Sequence, residues 1–216
     1  MSSKISCDAH MHTDFSTDCE SSVRSMLNAA VEKGLRTVCI TDHMDLDFPP
    51  QEGEGQAQDA PLFQFDVEEY FRVLTPLKEE YRGRLDVRIG IEIGLQPHLG
   101  AQYKKLLAAY PFDIVIGSIH LVRGLDPYYG KLFEGRPDAD TYREAFEETL
   151  TCIEQNEDFD TLGHLDYVVR YGKRKAEEYS YRAFADEIDA VLKKLISMGK
   201  GLEVNTGGLK YGLGFT

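Results

Sequence analysis

Short runs rich in β-branched residues recur along the chain, separated by segments of helical length, and this alternation constrains the fold more than any other feature. The runs are ISCDAH, RTVCITDH, LDVRIGIEIG, FDIVIGSIH, FDTLGHLDYVV and GLEVNT. Between the first two, Ser22 to Lys33 carries Val23, Met26, Leu27, Ala30 and Val31 at helical spacing and stops at Gly34. Asp66 to Arg82 opens with the capping pair Asp66 and Glu69, and Pro76 is expected to kink or divide it. Gln102 to Ala109, Asp140 to Gln155 and Tyr181 to Met198 complete the helical set. A β-α order of this kind calls for parallel strands, in an open sheet or a closed barrel. The stretch from Asp45 to Phe65 is too polar and too rich in Pro and Gly for an element, and loops of that length are usually functional or mobile.

At 216 residues the chain can build a single domain with its own core, and the 42% hydrophobic content supplies one. The formal net charge of -13 repels phosphate backbones and anionic lipid surfaces, which argues against nucleic acid and membranes as partners. The opening MSSKISCDAH has no apolar stretch of signal-peptide length, and no later run approaches a transmembrane span. A cytoplasmic protein is expected. Cys7, Cys19, Cys39 and Cys152 form no CxxC pair, so reduced and mostly buried thiols are expected, with Cys7 and Cys39 inside apolar runs.

Histidine placement turns the pattern toward chemistry. Five of the six histidines, His10, His12, His43, His120 and His164, fall at or just beyond the C-terminal end of an expected strand, and so does Glu92. That edge carries the active site in parallel α/β architectures. Residues i and i+2 of a strand face the same way, so His10 and His12 can address one ion. Imidazole nitrogen suits zinc, iron or manganese, and a nearby carboxylate favours a harder or multinuclear site. His98, in QPHLG at a helix start, is assigned no role beyond a polar residue near a cap.

These residues carry a resemblance. DAHMHT, TDH at 41 to 43, GIEIGLQPHL, IGSIHLV, GHLDYVVRYG and LEVNTGGLK resemble, in order from residue 5 onward, the motifs of the PHP (polymerase and histidinol phosphatase) superfamily. The segments GIEIGLQPH and LEVNTGGLK point to its histidinol-phosphate phosphatase branch. The resemblance implies an α/β fold, a distorted TIM-like (β/α)7 barrel holding two or three divalent metal ions at its C-terminal rim. Position by position it implies that His10, His12 and Glu92 hold one ion, that Glu92 bridges to a second completed by His120 and His164, and that Asp18 and His43 hold a third. Asp18 has an alternative role as a helix cap. Glu92 and His120 are the expected catalytic residues.

Asp166 is expected to orient an imidazole from behind, while Asp8 and Asp42 are left between that role and simple solvation. Arg170 is expected either to reach a substrate phosphate or to lie on the surface with Lys173, Arg174 and Lys175. Relatives of this branch continue past NTGGLK to a last strand bearing an Asp and a His. This sequence stops at KYGLGFT, so a single domain over 1-216 lacking its last β/α unit is expected. The implied activity is metal-dependent hydrolysis of a small phosphorylated metabolite, L-histidinol phosphate in histidine biosynthesis. A PHP-type phosphoesterase with another substrate, or a metal-binding remnant without turnover, is the alternative.

Overall fold

Strands and helices alternate as the patterning requires. The computed structural model describes residues 5–50 and 63–213. In order these form β1 (Cys7–Met11), α1 (Val23–Glu32), β2 (Thr37–Ile40), β3 (His43–Met44), α2 (Val67–Tyr81), β4 (Asp86–Gly94), α3 (Gly100–Ala109), β5 (Ile114–Ser118), α4 (Asp138–Gln155), β6 (Thr161–Leu162), α5 (Lys175–Glu178), α6 (Ala185–Met198) and β7 (Gly201–Leu202). Residues 51–62 of the expected Asp45 to Phe65 loop lie outside the described residues. The chain divides into two units, one reaching to Ile93 and including Tyr110–Ile116, the other formed by Gly94–Ala109 and the residues from Gly117 onward.

In the first unit β1 pairs parallel with β2, and β2 with β4 in the register Thr37↔Asp86 to Ile40↔Ile89. The short β3 also runs parallel to β4, with His43 opposite Glu92. Helix α1 starts where the Ser22 hydroxyl accepts from the Ser25 amide, and Gly34 follows its end with φ 75°. Its inner face, Val23, Leu27 and Ala30, joins Val38, Ile40, Leu74, Tyr81 and Ile89 in one apolar cluster. Leu27 is fully buried there, and truncating such a leucine to alanine costs about 2–5 kcal/mol. The Asp66 carboxylate accepts from the Glu69 amide and starts α2, as the D-x-x-E pattern predicts.

Pro76 does not divide α2, which is continuous from Val67 to Tyr81. Arg72, whose carbonyl loses its helical donor to the proline, is exposed, and so is Pro76, so water can serve that carbonyl. Tyr70 is fully buried and its one hydroxyl proton is shared between the Ile40 and Gly90 carbonyls, 3.1 and 3.2 Å away, tying α2 to β2 and β4. At Gly90 a Cβ would lie 2.5 Å from Ile114 Cγ2 and 2.9 Å from Thr41 Cγ2, so only glycine lets the chains pass this closely.

The second unit has its own core, in which Tyr142 and Phe146 of α4 meet Val168, Val169, Phe184 and Ile188. Helix α6 stops at Gly199, in the left-handed conformation at φ 67°. Here β6 and β7 pair parallel over two residues each, much shorter than FDTLGHLDYVV and GLEVNT predict. The reason is local. The His164 amide leaves the ladder to donate to the Glu203 carboxylate at 2.9 Å, and Tyr167–Tyr171 then coils into a 3-10 turn. After β7 the Asn205 side chain accepts from the Gly207 amide at 2.7 Å, which bends the strand into a turn.

The thiols are free, and Cys39 and Cys152 are buried as expected. Cys7 is not: as the first residue of β1, whose opening residues are exposed, it lies in contact with solvent. Cys19 is half-buried.

Candidate metal centre

In the first unit the strand ends deliver four of the expected ligands to one point. His10 and His12 leave the end of β1, where the pairing register slips between Asp8 and Met11, and their Nε2 atoms stand 3.1 Å apart. An irregularity of this kind re-aims side chains near sites. Glu92 projects from β4 and is fully buried. Its Oε2 lies 3.1 Å from His10 Nε2, 3.1 Å from His12 Nε2 and 3.1 Å from His43 Nδ1. Asp18 approaches from the other side, 3.0 Å from His12 Nδ1 and 3.7 Å from His43 Nε2.

Two ligand sets follow within this unit. His10, His12 and Glu92 form one, and His12, Asp18 and His43 the other, each with its ligand atoms within 4.8 Å of one another. The donor chemistry fits divalent cations. One carboxylate oxygen has two lone pairs, yet three imidazole nitrogens crowd it at the same distance, a packing natural to ligands around a cation. Asp18 belongs to the second of these sets and is its one exposed member.

The electrostatics agree. Burial disfavours the His12 imidazolium, but hydrogen bonds to Asp18 and Glu92, together with their charges, push its pKa up to about 10. Burial acts likewise on His43, and the Glu92 charge with the bonds to Asp18 and Asp45 raises it. Burial would lift Asp18, but its bonds to His12 and His43 hold it well below the usual carboxylate range. The same negative charge favours a cation at this point, with which protons on the imidazoles would compete.

The neighbouring aspartates divide by role. Asp42 is fully buried and accepts from the Thr13 amide and hydroxyl and from the Ser16 hydroxyl, at 2.6, 2.8 and 2.8 Å. The Ser16 oxygen in turn accepts from the His43 amide at 2.9 Å. Asp42 therefore fixes the loop after β1 and, through Ser16, the backbone of His43. It is not solvated. Asp8 is exposed and accepts from the His10 amide at 3.3 Å. Asp45, given no role by the sequence reading, sits 3.1 Å from His43 Nδ1; its spacing of two residues from His43 repeats the logic applied to His10 and His12.

In the second unit the rings of His120 and His164 lie 5.4 Å apart, with Tyr167 against both. Asp166 is buried, which pushes its carboxyl up. Arg170 donates to Asn205 Oδ1 at 2.9 Å and lies over the Tyr167 ring, so its guanidinium is held rather than loose in a solvated charge run. Glu203 and Asn205 belong to LEVNTGGLK but were assigned no function from sequence. Here they anchor His164 and Arg170, and Glu203 also accepts from Asn205 at 3.1 Å. His98 is exposed just before α3, as expected.

Comparison with known proteins adds to this geometry. A family model described as PHP domain matches residues 8–207. A Clostridium acetobutylicum protein named as a probable histidinol-phosphatase is 35% identical over 199 residues, which is 92% of this chain and 72% of that protein. A histidinol-phosphatase of Lactococcus lactis is 28% identical over 200 residues, covering 92% of this chain and 71% of the relative. The crystal structure of a Lactococcus lactis histidinol phosphate phosphatase, complexed with zinc, L-histidinol and phosphate, matches with a TM-score of 0.84 at 28% identity over 93% of this chain and 73% of that one. A Listeria monocytogenes structure shares the fold, with a TM-score of 0.77 at 19% identity, over 96% of this chain and 85% of that one.

Proposed function

We propose, from the premise that this chain belongs to the PHP domain family, that it is a metal-dependent phosphatase converting L-histidinol phosphate to L-histidinol and phosphate. The observation that carries this reading is the convergence of three imidazole nitrogens on the buried Glu92 carboxylate. A relative holding zinc, L-histidinol and phosphate supports the substrate and the metal class.

The ligand roles are those that the family resemblance implies, carried onto this chain's own residues. His10, His12 and Glu92 would hold one divalent ion and Asp18 and His43 another, and His120 and His164 are the imidazoles that the second unit would offer to an ion. Bound divalent ions supply a lowered water pKa and neutralise phosphoryl oxygens. Asp42 and Ser16 keep His43 in place while this happens, and Asp166 supports the His164 segment. Arg170 offers its planar fork to the substrate phosphate, pre-oriented by Asn205 and Tyr167.

Residues 1-216 act together in this proposal as one PHP-type domain. The net charge of -13 supports a small phosphorylated metabolite as partner rather than nucleic acid, since ligand ions can reverse the field only locally. Among the described residues no helix is long and apolar enough to cross a membrane. A cytoplasmic location fits a biosynthetic phosphatase.

The test is phosphate release from L-histidinol phosphate by metal-loaded protein, compared with sugar and nucleotide phosphates. Preference for histidinol phosphate by at least about tenfold in kcat/KM is expected, a difference of roughly 1.4 kcal/mol in transition-state binding. Equal or better rates on the other esters would overturn the substrate assignment.

A further inference from the structure

The starts of β2 and β4 carry a feature that runs against the composition of the chain. Acidic residues outnumber Lys and Arg by 37 to 24, yet Arg36, Lys78, Arg82 and Arg84 line one recess of about 410 Å³ in which Asp86 is the single acid. Three neighbouring cations are already matched. Lys78 pairs with Asp113 at 2.6 Å, Arg82 with Glu79 at 2.6 Å, and Asp86 is engaged by Arg88 at 2.9 Å.

Arg36 and Arg84 are different. The Arg36 guanidinium donates to the Ser6 hydroxyl at 3.2 Å, and that of Arg84 donates to the Glu80 carbonyl at 3.5 Å while lying 4.6 Å over the Tyr81 ring. Among the described residues neither has a carboxylate within ion-pair distance. The Asp86 amide donates to the Arg36 carbonyl at 2.8 Å, which holds the two arginine-bearing segments side by side. Two planar forks, each steadied by a neutral contact and both lining one cavity, suit an anion with several oxygens. Glu92 lies six positions after Asp86 along β4, on the order of 20 Å of strand, so this recess is remote from the metal ligands.

We propose that the recess is a second, metal-independent binding site for a small anion bearing a phosphate or diphosphate group, with Arg36 and Arg84 as its principal donors. Inorganic pyrophosphate is the probe. Calorimetric titration of the metal-loaded protein is expected to resolve two classes of binding, one at the metal centre and one at the recess. The double variant R36Q/R84Q loses the recess class, weakened by at least about tenfold, and keeps wild-type turnover of histidinol phosphate. Glu92→Gln retains the recess class. Should R36Q/R84Q fold poorly, Arg84→Gln alone reads the same site, with a loss of at least about threefold. Pyrophosphate binding that is unchanged in the arginine variants, or a single class in the wild type that Glu92→Gln removes, would overturn the proposal.

Discussion

At the end of β4, Glu92 is fully buried with three imidazole nitrogens 3.1 Å from one of its oxygens; at the start of the same strand, Asp86 is exposed and paired with Arg88 at 2.9 Å. The contacts are of similar length and their consequences differ. Around Glu92 water is excluded, charges act through a poorly screening medium, and the imidazole pKa values rise. Around Asp86 water and salt screen the pair, and such surface ion pairs contribute about 0–1 kcal/mol. Proximity of opposite charges is therefore no guide to importance until burial is known.

The sharpest way to break this comparison is to remove the ions. Chelation is expected to abolish phosphate release and lower the Tm of metal-loaded protein by on the order of 10 °C, since only the folded chain presents the ligand cluster. Added zinc restores both, and scanning calorimetry with an activity assay reads them. A Tm indifferent to chelation would mean that the buried cluster is satisfied by protons alone.

Glu92→Gln keeps the shape of the side chain and removes its charge. Turnover is expected to fall at least about hundredfold, beyond what is typical of residues that only support ligands. Wild-type kcat would remove Glu92 from the reaction.

Asp113 lies between the extremes and sharpens the contrast. Burial acts to raise it, but the Lys78 ammonium at 2.6 Å and the Ile89 amide at 2.8 Å hold it below the usual carboxylate range. Its folded-state pKa is therefore depressed, and its contribution is fully present above the unfolded value of about 3.9 and lost as pH falls through the lower folded value. Asp113→Asn is expected to destabilise by about 1–2 kcal/mol at pH 7, with the difference from wild type shrinking below about pH 4. Urea denaturation at both pH values checks this.

The smallest effect belongs to the exposed pair Arg82 and Glu79. Arg82→Ala is expected to change stability by less than about 0.5 kcal/mol. A larger loss would show that exposed charge at the end of α2 does more for the fold than its screening allows.

Much of this was legible in the sequence because it depends on local pattern. The caps at Ser22 and Asp66, the stop at Gly199 and the strand-end positions of the histidines follow from short-range chemistry, and the structure repeats them. What escaped depends on partners far along the chain. The brevity of β6 is set by Glu203, 39 residues from His164, and no periodicity near His164 announces it. Asp42 looked like a histidine neighbour, whereas its carboxylate is spent on Thr13 and Ser16. Cys7 sits in a run that reads as apolar, but strand character does not specify which residues a neighbour covers. Asp45 stands two residues from His43, a spacing as local as that of His10 and His12, but it also begins a stretch whose polar composition masks that relation.

Position 90 shows how far a missing atom can act. With a single hydrogen there, β4 slides against Ile114 and Thr41 and presents its carbonyl to Tyr70, two residues ahead of the glutamate on which the imidazoles converge. A methyl group would push the strand aside at that spot and carry the displacement toward the Glu92 carboxylate and the imidazoles around it. Anyone redesigning this scaffold for other cations should treat that gap as part of the coordination chemistry, although it touches no ligand.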